Sequence, residues 1–185
     1  SAVILDRERS QVVIVDVQER LLPAMYEGDR MVDRCSVLMQ GAIELGVPIT
    51  VSEQYRKGLG PTVAQLDNIK GDAVVREKMH FSSSADPDIL ADVSNHANAG
   101  RRQMVIAGIE AHVCVLQSAL GFKKAGFDVY VAMDATTSRR QDSVDLARDR
   151  LLANRVTPVN VEMVLFEWLD VSGTPEFKAV SKLVK

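Results

Sequence analysis

Gln103-Met-Val-Ile-Ala-Gly-Ile109 and Phe127-Asp-Val-Tyr-Val-Ala-Met133 are two short apolar runs, separated by a helix-length stretch that Gly126 closes. Neither run alternates apolar with polar residues, as a strand with one wet face would. A continuous apolar run is the pattern of a strand buried on both faces. Two such strands joined by a helical crossover lie parallel. Working outward, Gln11-Val-Val-Ile-Val-Asp16-Val17 repeats the pattern, Pro48-Ile-Thr-Val51 and Ala73-Val-Val75 are shorter strands, and Thr157 to Val161 is a weaker sixth. Between them, Gly28 to Leu45 places Met31, Cys35, Leu38, Ala42 and Leu45 at helical steps, with Gly46 and Pro48 as the stop. Asp86-Pro87 starts a helix that runs to about Asn98, with Asp as N-cap and Pro at the first helical position. Ser138 and Gln141 read as a capping box for a helix ending near Asn154, and Pro175 to Lys185 as a final helix. This alternation predicts an α/β fold: a three-layer α/β/α sandwich around a doubly wound, mainly parallel six-stranded sheet. Ligands of such folds bind beyond the carboxyl ends of the strands, where the strand order switches.

The 185 residues are the length of one domain, 1–185, with no linker or repeat. Lys and Arg number 22 against 25 Asp and Glu, a net charge of -3 without the basic footprint that nucleic acid or an anionic membrane requires. Mean hydropathy is zero and charges interrupt every apolar run, so no spanning helix is expected. Two cysteines without a CxxC pair, and a first ten residues carrying Asp6, Arg7, Glu8 and Arg9, are expected of a reduced, cytoplasmic protein.

The strand ends carry the chemistry. Strand one ends in Asp16, and a carboxylate inside an apolar run needs a partner or a task. Strand three runs into Arg76-Glu-Lys78-Met-His80-Phe81. Strand four ends in Gly108-Ile-Glu110-Ala-His112-Val-Cys114, so short a turn that Cys114 falls in the first turn of the next helix. There the free N–H groups favour a thiolate and are expected to lower the thiol pKa. Cys35 lies on the apolar stripe of its helix and reads as structural. If strands one and four are neighbours, their ends lie about 5 Å apart, which places Asp16 beside Cys114, with Lys78 two strands away but within reach. Thiol, carboxylate and ammonium together are the parts of a nucleophilic site.

Other chemistries lack their residues. Gln18-Glu-Arg-Leu-Leu follows strand one where a dinucleotide fold has a glycine-rich turn, so no cofactor is expected. His80, His96 and His112 form no close-spaced ligand pair, and no metal is expected. Gln18, Glu53, Tyr55, His80, Phe81 and His112 are candidates to line a small-molecule substrate pocket.

Val15-Asp16-Val-Gln18, Glu77-Lys78-xx-Phe81-Ser82, Gly108-Ile-Glu-Ala-His-Val-Cys114-Val and Asp134-Ala-Thr-Thr-Ser138 together resemble the isochorismatase-like cysteine hydrolases, the superfamily of nicotinamidase and N-carbamoylsarcosine amidohydrolase. Ser52-Glu-Gln-Tyr55-Arg-Lys-Gly-Leu-Gly60-Pro61 and the C-terminal Pro175-Glu-Phe-Lys-Ala-Val are similar to its small isochorismatase-domain subgroup. The resemblance implies an amidohydrolase acting on non-peptide C–N bonds, with Cys114 as nucleophile, Asp16 as base and Lys78 orienting both. It further implies an oxyanion hole from the backbone N–H groups of Glu110 and Cys114, a cis peptide at Ile109-Glu110, and a homo-oligomer. Two features depart from relatives. Val51 to Asp72 holds no histidine, unlike the Asp-x-His metal motif of nicotinamidases, and the cysteine itself is typically missing from ether-cleaving isochorismatases. Glu110 stands where many relatives have Thr or Ala. The alternative is a non-catalytic oligomeric binding protein that keeps the three residues.

Overall fold

The computed structural model describes residues 3–185. Six strands, β1 (Ser10–Val15), β2 (Ile49–Gln54), β3 (Val74–Lys78), β4 (Gln103–Ile109), β5 (Asp128–Thr137) and β6 (Thr157–Val159), form one sheet in the order β3-β2-β1-β4-β5-β6, every pair parallel. The order reverses between β1 and β4, which makes their carboxyl ends the switch point.

The apolar runs are continuous because the strands feed two cores. On one face Val12, Ile14, Val105, Ala107 and Ile109 pack under helices α1 (Gly28–Glu44), α7 (Val161–Leu169) and α8 (Pro175–Leu183). On the other, Val13, Val15, Met104 and Ile106 meet α4 (Pro87–Asn98), α5 (Leu116–Lys124) and α6 (Gln141–Ala153). Two one-turn helices, α2 (Arg56–Leu59) and α3 (Ala64–Asp67), fill the β2–β3 connection. At roughly 1.5–3 kcal/mol per fully buried large apolar side chain, this two-sided burial dominates the stability.

Several expectations are refined. β2 and β3 extend to Gln54 and Lys78, so Lys78 is the last residue of its strand. β5 runs on to Thr137, four residues past the Met133 that closes the apolar run, through a register shift opposite Gly108. Asp86 caps α4 as expected, accepting from the Ile89 N–H at 3.0 Å. Ser138 makes no capping box: α6 starts at Gln141 behind Arg140, and the Ser138 hydroxyl is engaged by His112 at 2.8 Å. The helix α7 was not anticipated, although Val161, Val164, Leu165, Trp168 and Leu169 follow a helical stripe and all five are buried. Met163 and Phe166, on its other side, are exposed.

Candidate active site

Asp16 directly follows β1, in the left-handed region at φ 56, where the chain turns off the sheet. Its carboxylate is fully buried and each oxygen is satisfied: Oδ2 accepts from Lys78 Nζ at 2.8 Å and Oδ1 from the Ser52 hydroxyl at 2.7 Å. Lys78 is itself buried, and Nζ also donates to Gln54 Oε1 at 2.7 Å and to the carbonyls of Phe81 at 3.0 Å and His80 at 3.1 Å. Burying either charge alone would cost several kcal/mol. Here the two compensate, and neutral dipoles meet the remaining hydrogen-bonding capacity of both.

Cys114 completes the group from the neighbouring β4. Its thiol lies close enough to Asp16 and Lys78 for both charges to act on it. Gly108 permits the close approach, since a Cβ there would fall 2.1 Å from the Val15 carbonyl oxygen. The next peptide bond but one, Ile109-Glu110, is cis. Cys114 does not open a regular helix; it lies in a π-helical turn, Ala111–Val115, ahead of α5. Burial first, then the Asp16 carboxylate, pushes the thiol up to about 12, with Lys78 opposing. The dipole argument from sequence gave the opposite sign, because it omitted desolvation and the facing anion. Cys35 is structural: fully buried on α1, its thiol raised by burial and donating to the Ala135 carbonyl at 3.2 Å.

The remaining candidate residues divide. Gln18 is buried and fully engaged, its amide donating to the Gln54 and Gly60 carbonyls and accepting the Gln54 N–H, so it braces the β1 and β2 ends and does not line a pocket. Glu53 is likewise turned inward, accepting the Thr62 N–H and hydroxyl. Tyr55, His80 and Phe81 are exposed, and the last two contribute carbonyls to the Lys78 cage. His112 is half-buried on Ser138, and the Glu110 carboxylate is held by Arg139 at 2.9 Å. Ser52 and Gln54 were missed. The signal was present as polar residues two apart at a strand end, but strand order was needed to see what they face. Among the described residues no group of three His, Cys, Asp or Glu side chains is placed to hold a metal ion.

Residues 10–162 match the model of the isochorismatase domain family. The chain belongs to that family. Isochorismatase domain-containing protein 1 of Danio rerio is 37% identical over 171 residues, 92% of this chain; the chain spans only 59% of that relative's length. Among solved structures of the fold, the MAR1 ribonuclease of Caenorhabditis elegans superposes with a TM-score of 0.91 at 27% identity, covering 98% of this chain and 92% of its own. The YcaC gene product of Escherichia coli, described as an octameric hydrolase of unknown specificity, has a TM-score of 0.90 at 24% identity, covering 99% and 91%. The matched residues take in the whole sheet and helices α1 to α6. No helix among the described residues is long and apolar enough to cross a membrane.

Proposed function

We propose that the chain is a cysteine hydrolase that cleaves a small amide or related acyl compound through a thioester, with Cys114, Asp16 and Lys78 as its catalytic residues. The observation that carries this is the buried Asp16–Lys78 pair, closed at 2.8 Å, with one thiol close enough for both charges to act on it. A thiol raised to about 12 is protonated at rest, so the nucleophile has to be generated against the substrate. Asp16 takes the Sγ proton as sulfur attacks the carbonyl carbon; the C–S bond forms and the carbonyl π pair moves onto oxygen. The backbone N–H groups of Glu110 and Cys114 receive that oxyanion, donors worth about 3 kcal/mol each in a dry site. Collapse breaks the C–N bond while Asp16 returns its proton to the leaving nitrogen. Water, deprotonated by Asp16, then attacks the thioester; the acid leaves and Sγ regains the proton. Lys78 stays an ammonium throughout, balancing Asp16 in one half of each step and the developing thiolate in the other.

The test is ammonia release from a panel of small primary amides and ureas. Cys114→Ala should lower the rate on the order of a thousandfold or more with an unchanged melting temperature; retained turnover overturns the reading. A non-catalytic binding protein is the second reading, favoured by the 7% exposure of Cys114. It predicts no ammonia from any member of the panel. We further infer a homo-oligomer, supported by the exposed Met163 and Phe166 on α7 and by the octamer described for YcaC. Light scattering at the monomer mass of 20.3 kDa would refute it.

A further inference from the structure

Ser52 and Gln54 are two residues apart on β2, so their side chains leave the same face of the strand, while Glu53 between them turns to Thr62. Both are buried. The Ser52 hydroxyl donates to Asp16 Oδ1 at 2.7 Å, and Gln54 Oε1 accepts from Lys78 Nζ at 2.7 Å. Each charge of the ion pair therefore has its own neutral partner of the matching polarity: a donor for the anion, an acceptor for the cation.

Gln54 does more than touch the ammonium. Its Nε2 donates to the Met79 carbonyl at 2.8 Å, tying down the segment whose next two carbonyls, His80 and Phe81, also accept from Lys78. Its own backbone is locked by Gln18, whose amide accepts the Gln54 N–H at 2.7 Å and donates to the Gln54 carbonyl at 2.9 Å. The ammonium cage is thus organised from β2. Ser52 is suited to a base that changes protonation state, because a hydroxyl both donates and accepts. It donates to the Asp16 carboxylate at rest and turns to accept when Asp16 carries the proton taken from sulfur. An alanine can do neither.

We propose that Ser52 and Gln54 are positioning residues for the reaction, acting through Asp16 and Lys78 respectively: a polar shelf on β2 that holds the base and the ammonium in register with Cys114. This rests on the catalytic reading above, and the test separates the two. Iodoacetamide labelling of Cys114 is followed against pH by peptide mapping, with buried Cys35 as the internal silent thiol. Ser52→Ala exposes the sulfur to the undamped carboxylate and should slow labelling about tenfold. Ser52→Thr, which keeps the hydroxyl, should return the rate to near that of the unsubstituted protein. Gln54→Met matches the shape without the acceptor and should slow labelling across the whole profile by a similar factor. Gln54→Glu keeps the acceptor but adds a carboxylate, and should move the profile to higher pH. A role in packing alone predicts that the apolar replacements, Ala and Met, leave the Cys114 rate untouched. If the unsubstituted protein labels at Cys114 and the Ala and Met variants label at the same rate with unchanged melting, the shelf is refuted and the catalytic reading stands. If Cys114 of the unsubstituted protein stays as silent as Cys35 to the alkaline end of the profile, where a thiol raised to about 12 begins to ionise, both fall.

Discussion

Replacing Gly108 with alanine tests the coupling between sheet and site at one atom. Gly108 pairs with Val15 across β4 and β1 and holds φ 133, a conformation that L side chains rarely adopt. An added Cβ would lie 2.1 Å from the Val15 carbonyl oxygen and 2.7 Å from its nitrogen. Both are backbone atoms inside a parallel ladder and have no rotamer by which to retreat. The backbone strain is worth about 1–3 kcal/mol, and overpacking between two central strands adds about 1–3 kcal/mol. The sum is about 2–6 kcal/mol. Gly100→Ala supplies the comparison, since Gly100 has φ 100 but nothing within 4 Å of its added Cβ, so only strain is incurred. Urea unfolding with unchanged m-values should place Gly108→Ala about 2 kcal/mol below Gly100→Ala. The same displacement acts on the site, because Val15 precedes Asp16 and Gly108 leads into the turn that carries Cys114. A misplacement of about 1 Å costs on the order of a hundredfold in rate, so Cys114 labelling should fall in Gly108→Ala and not in Gly100→Ala. Equal stabilities for the two variants, with equal labelling, would refute the close-approach argument.

The buried ion pair predicts strong non-additivity. Lys78→Met leaves the Asp16 carboxylate in the interior with its countercharge gone and should cost about 3–5 kcal/mol, whereas Asp16→Asn with Lys78→Met should cost less than the sum of the single changes by about 1–3 kcal/mol; additivity within experimental error in urea unfolding would show that the charges do not stabilise one another. The raised Cys114 thiol sets a sign for the pH dependence of stability. Between its ordinary value near 9 and about 12, the unfolded chain has lost a proton that the folded chain keeps, so stability should fall as pH rises through that window. Cys114→Ala should flatten this slope, Cys35→Ala should flatten it too because burial raises that thiol in the same direction, and unaltered slopes in both variants would contradict the assignment.

The parallel sheet was legible in the sequence, because a strand serving two cores is buried along its whole length, and β1 and β4 are apolar from Val12 to Val15 and from Met104 to Ile109. Asp16 and Cys114 stood out for a related reason: each is a reactive group set against an apolar background at a strand end. Helix limits written by local chemistry, such as the Asp86 cap and the Gly126 stop, were legible too. The Ser138 capping box was misread because His112 competes for the same hydroxyl, and His112 comes from another strand's end. The direction of the Cys114 shift went the same way. A local dipole is a property of adjacent residues, but desolvation and the Asp16 charge arrive through space from β1.

Residue order by itself determined the class of fold and the alternation of its elements and singled out the three groups proposed to carry the chemistry, because burial periodicity and capping act within a few residues of chain. Tertiary structure alone decided that β1 and β4 are neighbours, that Lys78 is caged by four oxygens, and that Ser52 and Gln54 face the ion pair while Gln18 and Glu53 do not. Strand order and register bring together groups far apart in the chain. Their electrostatics depends on distance and burial, which no local pattern of residues encodes.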